Sequence, residues 1–385
     1  MENSVSDPPE NIEIKTVSVK ELQKFYENCL TSPANGQVIP ISSARVRAQL
    51  SNPCANDDDI VLVTAFSGSR CVGYHGLLPG IFLCNGRSVK VYWGSTIFVA
   101  PDLRGRGIGK LLIMTISGLN VDFVASRMNE KAENTYHSIG LDTLGYLRYR
   151  QLRVDKLAKT QSQRDVSSAA EGDSILNSSL YTVRKKALYS SLLLSPALQA
   201  QQLVAKEVAR INDWPGRKAG FSEFPRFYRS VEVINWMLEY PWLTSEYGAE
   251  SKEGYYFSTT RKLFTYRAFQ IYGKRSGMIL GFVVVSILSH KKRKVVKLLD
   301  YDFKSSENVV FAVVVALRCA EMYLADRVEY GEELSRYLDP EIVPTHLIKE
   351  QERLYLFHAG NQDSALLQNK EKIILNYCDG DAAFA

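Results

Sequence analysis

Cysteine is scarce and unpatterned in this sequence. Its six residues, Cys29, Cys54, Cys71, Cys84, Cys319 and Cys378, are scattered over 385 positions. No two stand as C-x-x-C and none joins histidines at zinc spacing. This excludes a zinc ribbon and, at this length, a disulfide framework; reduced, buried thiols are the expectation. Long apolar runs are lacking too. The longest, Met278 to Leu288, is far below the ~20 residues of a membrane-spanning helix. Met1 to Glu13 is polar and acidic, without the basic start and apolar block of a secretion signal. No sign of charge dominates: 47 Lys and Arg stand against 42 Asp and Glu, a formal net charge of +5. That falls short of a nucleic-acid footprint but suits an anionic small ligand. These absences predict a cytoplasmic protein with no nucleic-acid, membrane or metal partner.

What is present is ordinary globular material, 45% hydrophobic and 23% charged, which excludes collagen, coiled coil and wholesale disorder. At roughly 100–200 residues per domain, the length predicts about two domains. The expected division is residues 1–155, a linker or insertion over 156–215 with a helix, and residues 216–385. In the first part, Val17 to Leu30 has helical spacing and starts near Ser18, a plausible cap. Ile60–Phe66, Cys71–Leu78, Ile81–Leu83 and Val89–Val99 read as strands, the last interrupted by Gly94, with Asn85-Gly86 as a hairpin turn. A helix over Lys110–Leu119 and a strand over Val121–Ala125 follow. Lys156 to Leu180 is rich in Ser, Gln and Ala and reads as linker, with a helix expected over Leu188–Ile211. The second part reads as a capped helix (Ser230–Glu239), a series of strands opening at Glu253–Tyr256, then Phe264–Tyr272, Met278–Leu288 and Lys294–Asp302, and a helix over Asn308–Leu324. Its strand–turn–helix order echoes Val89 to Leu119 and suggests two copies of one fold.

The chemistry concentrates in Val99-Ala100-Pro101-Asp102-Leu103-Arg104-Gly105-Arg106-Gly107-Ile108-Gly109-Lys110. Glycines between a strand and a helix let the backbone turn its N–H groups outward, and a helix N-terminus attracts phosphate. Arg104, Arg106 and Lys110 add positive charge. The stretch is not a Walker loop, since Leu111 follows Lys110, and its glycines at 105, 107 and 109 miss the dinucleotide spacing.

The pattern Val-x-Pro-x-x-Arg-Gly-x-Gly-Ile-Gly closely resembles the acyl-CoA pyrophosphate loop of the GNAT superfamily of N-acetyltransferases, whose Arg/Gln-x-x-Gly-x-Gly/Ala is met by Arg104, Gly107 and Gly109. A second family motif is matched by Asn129, Ala132, Tyr136 and Gly140 in MNEKAENTYHSIGL. The resemblance spans about Ile12 to Arg153. It implies an α+β fold of α/β type, a mixed central sheet flanked by helices, with a second GNAT-like α+β domain behind it. It implies acetyl-CoA as cosubstrate, held by residues 104–110, by the backbone N–H groups of Phe98 and Val99, and by Asn129 and Tyr136. Tyr136 is the implied general acid toward the departing thiolate. Many family members place a glutamate on the strand before the loop, but Val91–Phe98 has no carboxylate. The base therefore stays open among His75, Asp102 and a water held by Ser95 or Thr96, while His137 is expected at the surface.

The second part lacks the loop: Asp302 to Asn308 has no glycine or arginine. It is expected to wall the acceptor site or to stabilise the first domain. Most of its aromatics are expected in the core, and Asn376–Asp381 reads as an acidic tail, either exposed or facing an ammonium-bearing acceptor. The resulting expectation is direct acetyl transfer to a primary amine of a small molecule: an amino sugar, a nucleotide-linked amino sugar or an amino acid. A silent acyl-CoA sensor and a protein or peptide acetyltransferase are the alternatives.

Overall fold

A computed structural model describes residues 11–31, 38–156, 173–212, 214, 224–245, 254–290, 293–338, 343 and 345–384. The described residues open with strand β1 (Ile12–Ser18) and helices α1 (Val19–Thr31) and α2 (Ser43–Leu50). At the start of α1 the Ser18 N–H and hydroxyl both donate to the Glu21 carboxylate, at 3.0 and 2.6 Å, so Glu21 reaches back to tie the helix start. Then come β2 (Ile60–Ser67), β3 (Arg70–Cys84), β4 (Arg87–Val99), α3 (Ile108–Ser117), β5 (Phe123–Ser126), α4 (Glu130–Ser138) and β6 (Asp142–Arg153). The second half comprises α5 (Asp173–Gln199), β7 (Leu203–Val208), β8 (Arg226–Tyr228), α6 (Val231–Glu239), the short β9 (Thr244–Ser245) and β10 (Thr260–Arg261), β11 (Phe264–Gly273), β12 (Ile279–His290), β13 (Arg293–Phe303), α7 (Val310–Tyr323), β14 (Arg327–Gly331) and β15 (Ile348–His358).

The long strands form one mixed sheet in the order β1-β2-β3-β4-β5-β15-β6-β14-β13-β12-β11-β7, with β8 added beside β3. Read from either end, the order is the same up to its centre: four antiparallel neighbours, a parallel step (β4–β5; β13–β14), and then a strand from the other half. The helix after β4 has its counterpart in the helix after β13. The two halves are thus copies of one plan that have exchanged their last strands. β15 lies antiparallel to β5, and β6 lies antiparallel to β14, with β15 and β6 paired at the centre.

Several elements differ from the sequence reading. β3 is one strand across Pro79 and Gly80, because β2 stops pairing at Gly76 and Pro79 needs no N–H on that side. α5 starts and ends earlier than expected, and residues 203–208 are a strand on β11, so part of the expected linker belongs to the second half. Residues 157–172, within that linker, lie outside the described residues. Tyr255 makes an isolated bridge to Ile39 rather than opening a strand. The Asn376–Asp381 segment is no exposed tail: Tyr377, Cys378 and Asp379 are buried.

Packing explains the sequence pattern. α7 is apolar on nearly all sides, with Val310 through Leu317 all buried. It is sandwiched between α5 and the β12–β14 face of the sheet. Burying a ring such as Phe311 contributes roughly 1.5–3 kcal/mol. All six cysteines are buried and unpaired. Among the described residues, no helix is long and apolar enough to cross a membrane.

Candidate active site

β4 and β5 run parallel only at Tyr92↔Phe123 and Trp93↔Val124. β5 ends at Ser126 while β4 continues to Val99, and the sheet opens between them. The opening starts beside a bulge. β4 shifts register against β3 between His75 and Gly76, leaving Thr96 without an opposite residue and at φ +53°. A β-branched residue in the left-handed region costs about 1–3 kcal/mol, so packing must hold it. Arg45 of α2 contributes, donating from Nη1 to Thr96 Oγ1 at 3.4 Å.

The bulge reverses which N–H groups face the opening. Before it, the Tyr92 N–H donates toward β5, to Asp122 O at 2.8 Å; after it, the Ala100 N–H donates toward β3, to Val72 O at 2.8 Å. By alternation the Phe98 N–H turns to β3, and those of Ile97 and Val99 turn into the opening. The Val99 carbonyl, on the same side, accepts from Arg104 Nε at 3.1 Å. The expected donor pair Phe98 and Val99 is therefore corrected to Ile97 and Val99. The bulge that causes the change has no glycine to announce it in the sequence.

The loop follows at once. Pro101–Leu103 forms a 3₁₀ turn, and Gly105 and Gly107 adopt φ of +84° and +74°. These are conformations that cost other L-residues about 1–2 kcal/mol. Gly107 is the N-cap of α3 and provides no side-chain cap, so the helix's first N–H groups stay available. A Cβ built on Gly105 would meet nothing within 4 Å, so the loop has an open face. Arg106 is exposed and Lys110 half-buried. A diphosphate fits this cradle: free amides at a helix end, an open glycine face and three cationic side chains. Asp102, a candidate base, is spent on Arg70 in a two-pronged ion pair at 2.8 and 2.9 Å; this hydrogen-bonded pairing also holds its carboxyl below the usual range.

His75 and Tyr136 meet although they are 61 positions apart: His75 Nε2 lies 2.6 Å from the Tyr136 hydroxyl. The other nitrogen, Nδ1, lies 3.0 Å from Gly76 O. A carbonyl only accepts, so Nδ1 carries the proton and Tyr136 donates to Nε2. Burial pushes the imidazole down to about 4, keeping it neutral. Burial first, and then the negative charge of Asp381, raise the Tyr136 phenol above its ordinary value. Gly94 makes room for this pair: a Cβ there would stand 3.0 Å from His75 Cε1 and 2.9 Å from Phe123 Cζ. With both nitrogens engaged, His75 does not offer the amine-facing base role expected of it; it orients Tyr136. Asn129, expected at the cofactor, caps α4 by accepting from the Ala132 N–H at 3.0 Å. His137 is exposed, near Leu141 O at 3.1 Å.

On the opposite face, aromatics of the second half cover β3 and β4. Tyr255 stacks on Tyr74 at 6.0 Å, and the Tyr256 ring lies tilted against Phe98 at 4.6 Å. The Arg45 guanidinium sits 4.0 Å over the Trp242 ring.

Residues 22–138, which contain the loop, the bulge and the His75–Tyr136 pair, match the model of the acetyltransferase (GNAT) family. The chain carries a GNAT acetyltransferase domain. A GNAT domain is that of an acyltransferase that draws on an acyl-CoA. No curated protein sequence matches the chain. Among solved structures the chain is similar to a GCN5-related N-acetyltransferase from Anabaena variabilis, at 12% identity and TM-score 0.50 over 91% of this chain and 73% of that one. It is also similar to a tandem GNAT protein from the clavulanic acid biosynthesis pathway, at 12% identity and TM-score 0.45 over 92% of this chain and 100% of that one. Saccharomyces cerevisiae N-myristoyltransferase with bound myristoyl-CoA is similar at 9% identity and TM-score 0.43, over 95% and 90%. At these identities the likeness concerns the fold.

Proposed function

We propose that this GNAT domain transfers an acetyl group from acetyl-CoA directly to the primary amine of a small molecule, such as an amino sugar, a nucleotide-linked amino sugar or an amino acid. The observation that carries the reading is the opening at the Thr96 bulge, flanked by the glycine cradle on one side and the Tyr136 hydroxyl on the other. Acetyl-CoA supplies an acyl group already activated as a thioester. The amides of residues 107–110, with Arg104, Arg106 and Lys110, hold the diphosphate. The Ile97 and Val99 N–H groups donate to the pantetheine arm and to the acyl carbonyl, which they polarise. Tyr136, positioned by His75 and kept protonated by burial, turns its O–H from His75 Nε2 to the departing sulfur and donates the proton there.

A short acyl group is favoured because the closed end of the opening is filled. His75 and Phe123 crowd Gly94, and Trp93 is covered on its other side. A small acceptor is favoured because Tyr255, Tyr256 and Phe257 lie on Tyr74 and Phe98 and cover part of the β3–β4 face. The six buried, unpaired thiols suit a reducing compartment, and we place the protein in the cytoplasm. Thiol release from acetyl-, butyryl- and myristoyl-CoA over a panel of amines, with calorimetry for binding, tests the reading. Amine-dependent release with a preference for acetyl is expected. Tight binding without amine-dependent release would mean a sensor, and a preference for myristoyl would overturn the acetyl assignment.

A further inference from the structure

We propose that Asp381, on the Gly380–Phe384 turn, is the general base that takes the proton from the acceptor amine; the assignment rests on the acetyl-transfer reading above. β4 offers no carboxylate between Val91 and Val99. Among the described residues, four other carboxylates near this part of the sheet are engaged. Asp59 accepts from Tyr92 Oη at 2.6 Å and pairs with Lys90, Asp122 accepts from the Gly360 N–H at 2.9 Å, and Asp102 holds Arg70. Asp379 accepts from the Asn376 N–H at 2.7 Å and faces the Arg229 guanidinium. Half-buried Asp381 accepts no hydrogen bond and forms no ion pair among the described residues.

Its place in the fold is fixed by the residue before it. Gly380, at φ +66°, lies so flat on Trp93 that a Cβ there would stand 2.5 Å from Cε3 of the indole. Trp93 is the last residue of β4 to pair with β5. The turn therefore sits where the sheet begins to open. It is anchored beyond Asp381 as well: Tyr266 Oη donates to Ala383 O at 2.9 Å, and the Phe384 ring stacks on Trp242 at 4.2 Å. Successive residues of β4 point to opposite faces. The Trp93 indole meets Phe227 and Tyr355 on one face, and Gly94 meets His75 and Phe123 on the other. Asp381 thus lies on a turn seated against the face of β4 opposite the His75–Tyr136 pair, near enough for its charge to bear on the phenol.

The step balances between them. The alkylammonium first gives one proton to the Asp381 carboxylate, which releases it to solvent. The nitrogen lone pair then forms the N–C bond, the C–S electron pair leaves with sulfur, the Tyr136 proton passes to sulfur, and the second N–H proton returns through water to the Tyr136 phenolate, which resets both groups.

The test uses the full chain with acetyl-CoA and three amine probes: glucosamine and lysine, whose amines are largely protonated at neutral pH, and aniline, which is already neutral. Asp381→Asn is expected to lower kcat/KM for the two alkylamines by about 10²- to 10⁴-fold, to lower it far less for aniline, and to leave acetyl-CoA affinity within about twofold of wild type. Asp381→Glu should recover part of the rate. Gly380→Ala, which lifts the turn off Trp93 without removing the carboxylate, should reproduce the alkylamine loss. Alkylamine rates in Asp381→Asn within about threefold of wild type, or an equal loss for aniline, would sink the base assignment while leaving the acetyl-transfer reading intact. A wild-type protein that binds no acetyl-CoA, or releases no thiol with any amine, would overturn both together.

Discussion

The buried contact between His75 and Tyr136 makes a quantitative prediction through a double-mutant cycle. Tyr136→Phe deletes one oxygen and leaves His75 Nε2 without its 2.6 Å donor in a site where the histidine is 1% exposed. An unsatisfied buried acceptor costs about 1–3 kcal/mol. His75→Leu leaves the Tyr136 hydroxyl orphaned at a similar cost. With both changes, two apolar groups face each other and no polar atom is stranded. The double variant is therefore expected to be more stable than the sum of the single losses by about 2–6 kcal/mol. Equilibrium urea unfolding of the four proteins measures this. Turnover should show its own non-additivity. Tyr136→Phe removes the proton donor and should slow amine-dependent thiol release by about 10²- to 10⁴-fold, with acetyl-CoA affinity spared. His75→Leu acts through Tyr136 and should cost less, and it should add nothing once Tyr136 is phenylalanine. Additive stabilities together with multiplying rate losses would refute the reasoning, because they would mean that the two residues act separately.

Three further outcomes are expected. An unfolded His75 takes up a proton near pH 6.5 that the buried ring refuses until about 4. Stability from this group is thus full above 6.5 and falls by about 3 kcal/mol as pH drops toward 4. The difference in unfolding free energy between wild type and His75→Gln isolates this contribution, and a difference that does not change with pH would contradict it. Asp379, pushed up to about 7 mainly by burial, acts in the opposite sense: its folded form holds a proton longer, so stability from it is lost as pH rises from 3.8 toward 7, and the total acid profile is flatter than that of His75 alone. Gly107→Val forces a side chain onto φ +74°; we expect a loss of about 1–2 kcal/mol and at least a tenfold drop in acetyl-CoA affinity by calorimetry. Residues 11–156 expressed alone should give no cooperative unfolding transition by circular dichroism, because β5 would lack β15 and β6 would lack both of its neighbours; a cooperative monomer would argue against the exchanged pairing.

The parts of this site that sequence reveals are those built from local rules. Asn85-Gly86 does turn β3 into β4, with φ of +49° and +74°, and the glycines at 105 and 107 do turn β4 into α3. The spacing of Asn129 and Tyr136 places one at the cap and the other on the buried face of α4. What escaped depends on partners far away in the chain. Nothing in Ile348–His358 says that it completes the first half's sheet, since its pairing with β5 and β6 is decided by tertiary contacts. The bulge at Thr96 carries no glycine, so the choice of Ile97 over Phe98 as donor was not readable. α5 is rich in serine and weakly amphipathic, and its start was hidden for that reason. Asp381 looked like part of a solvated tail because acidic residues at a chain end usually are; the Trp93 surface that receives its neighbour lies 287 positions earlier.

The exchange of β6 and β15 gives the molecule a mechanical property that two beads on a string would not have. A single cut in the backbone between residues 156 and 173 would leave each fragment holding a strand seated inside the other. Such a nicked protein should migrate as one particle on a sizing column and part only in denaturant, like links of a chain that stay joined after the connecting thread is snipped.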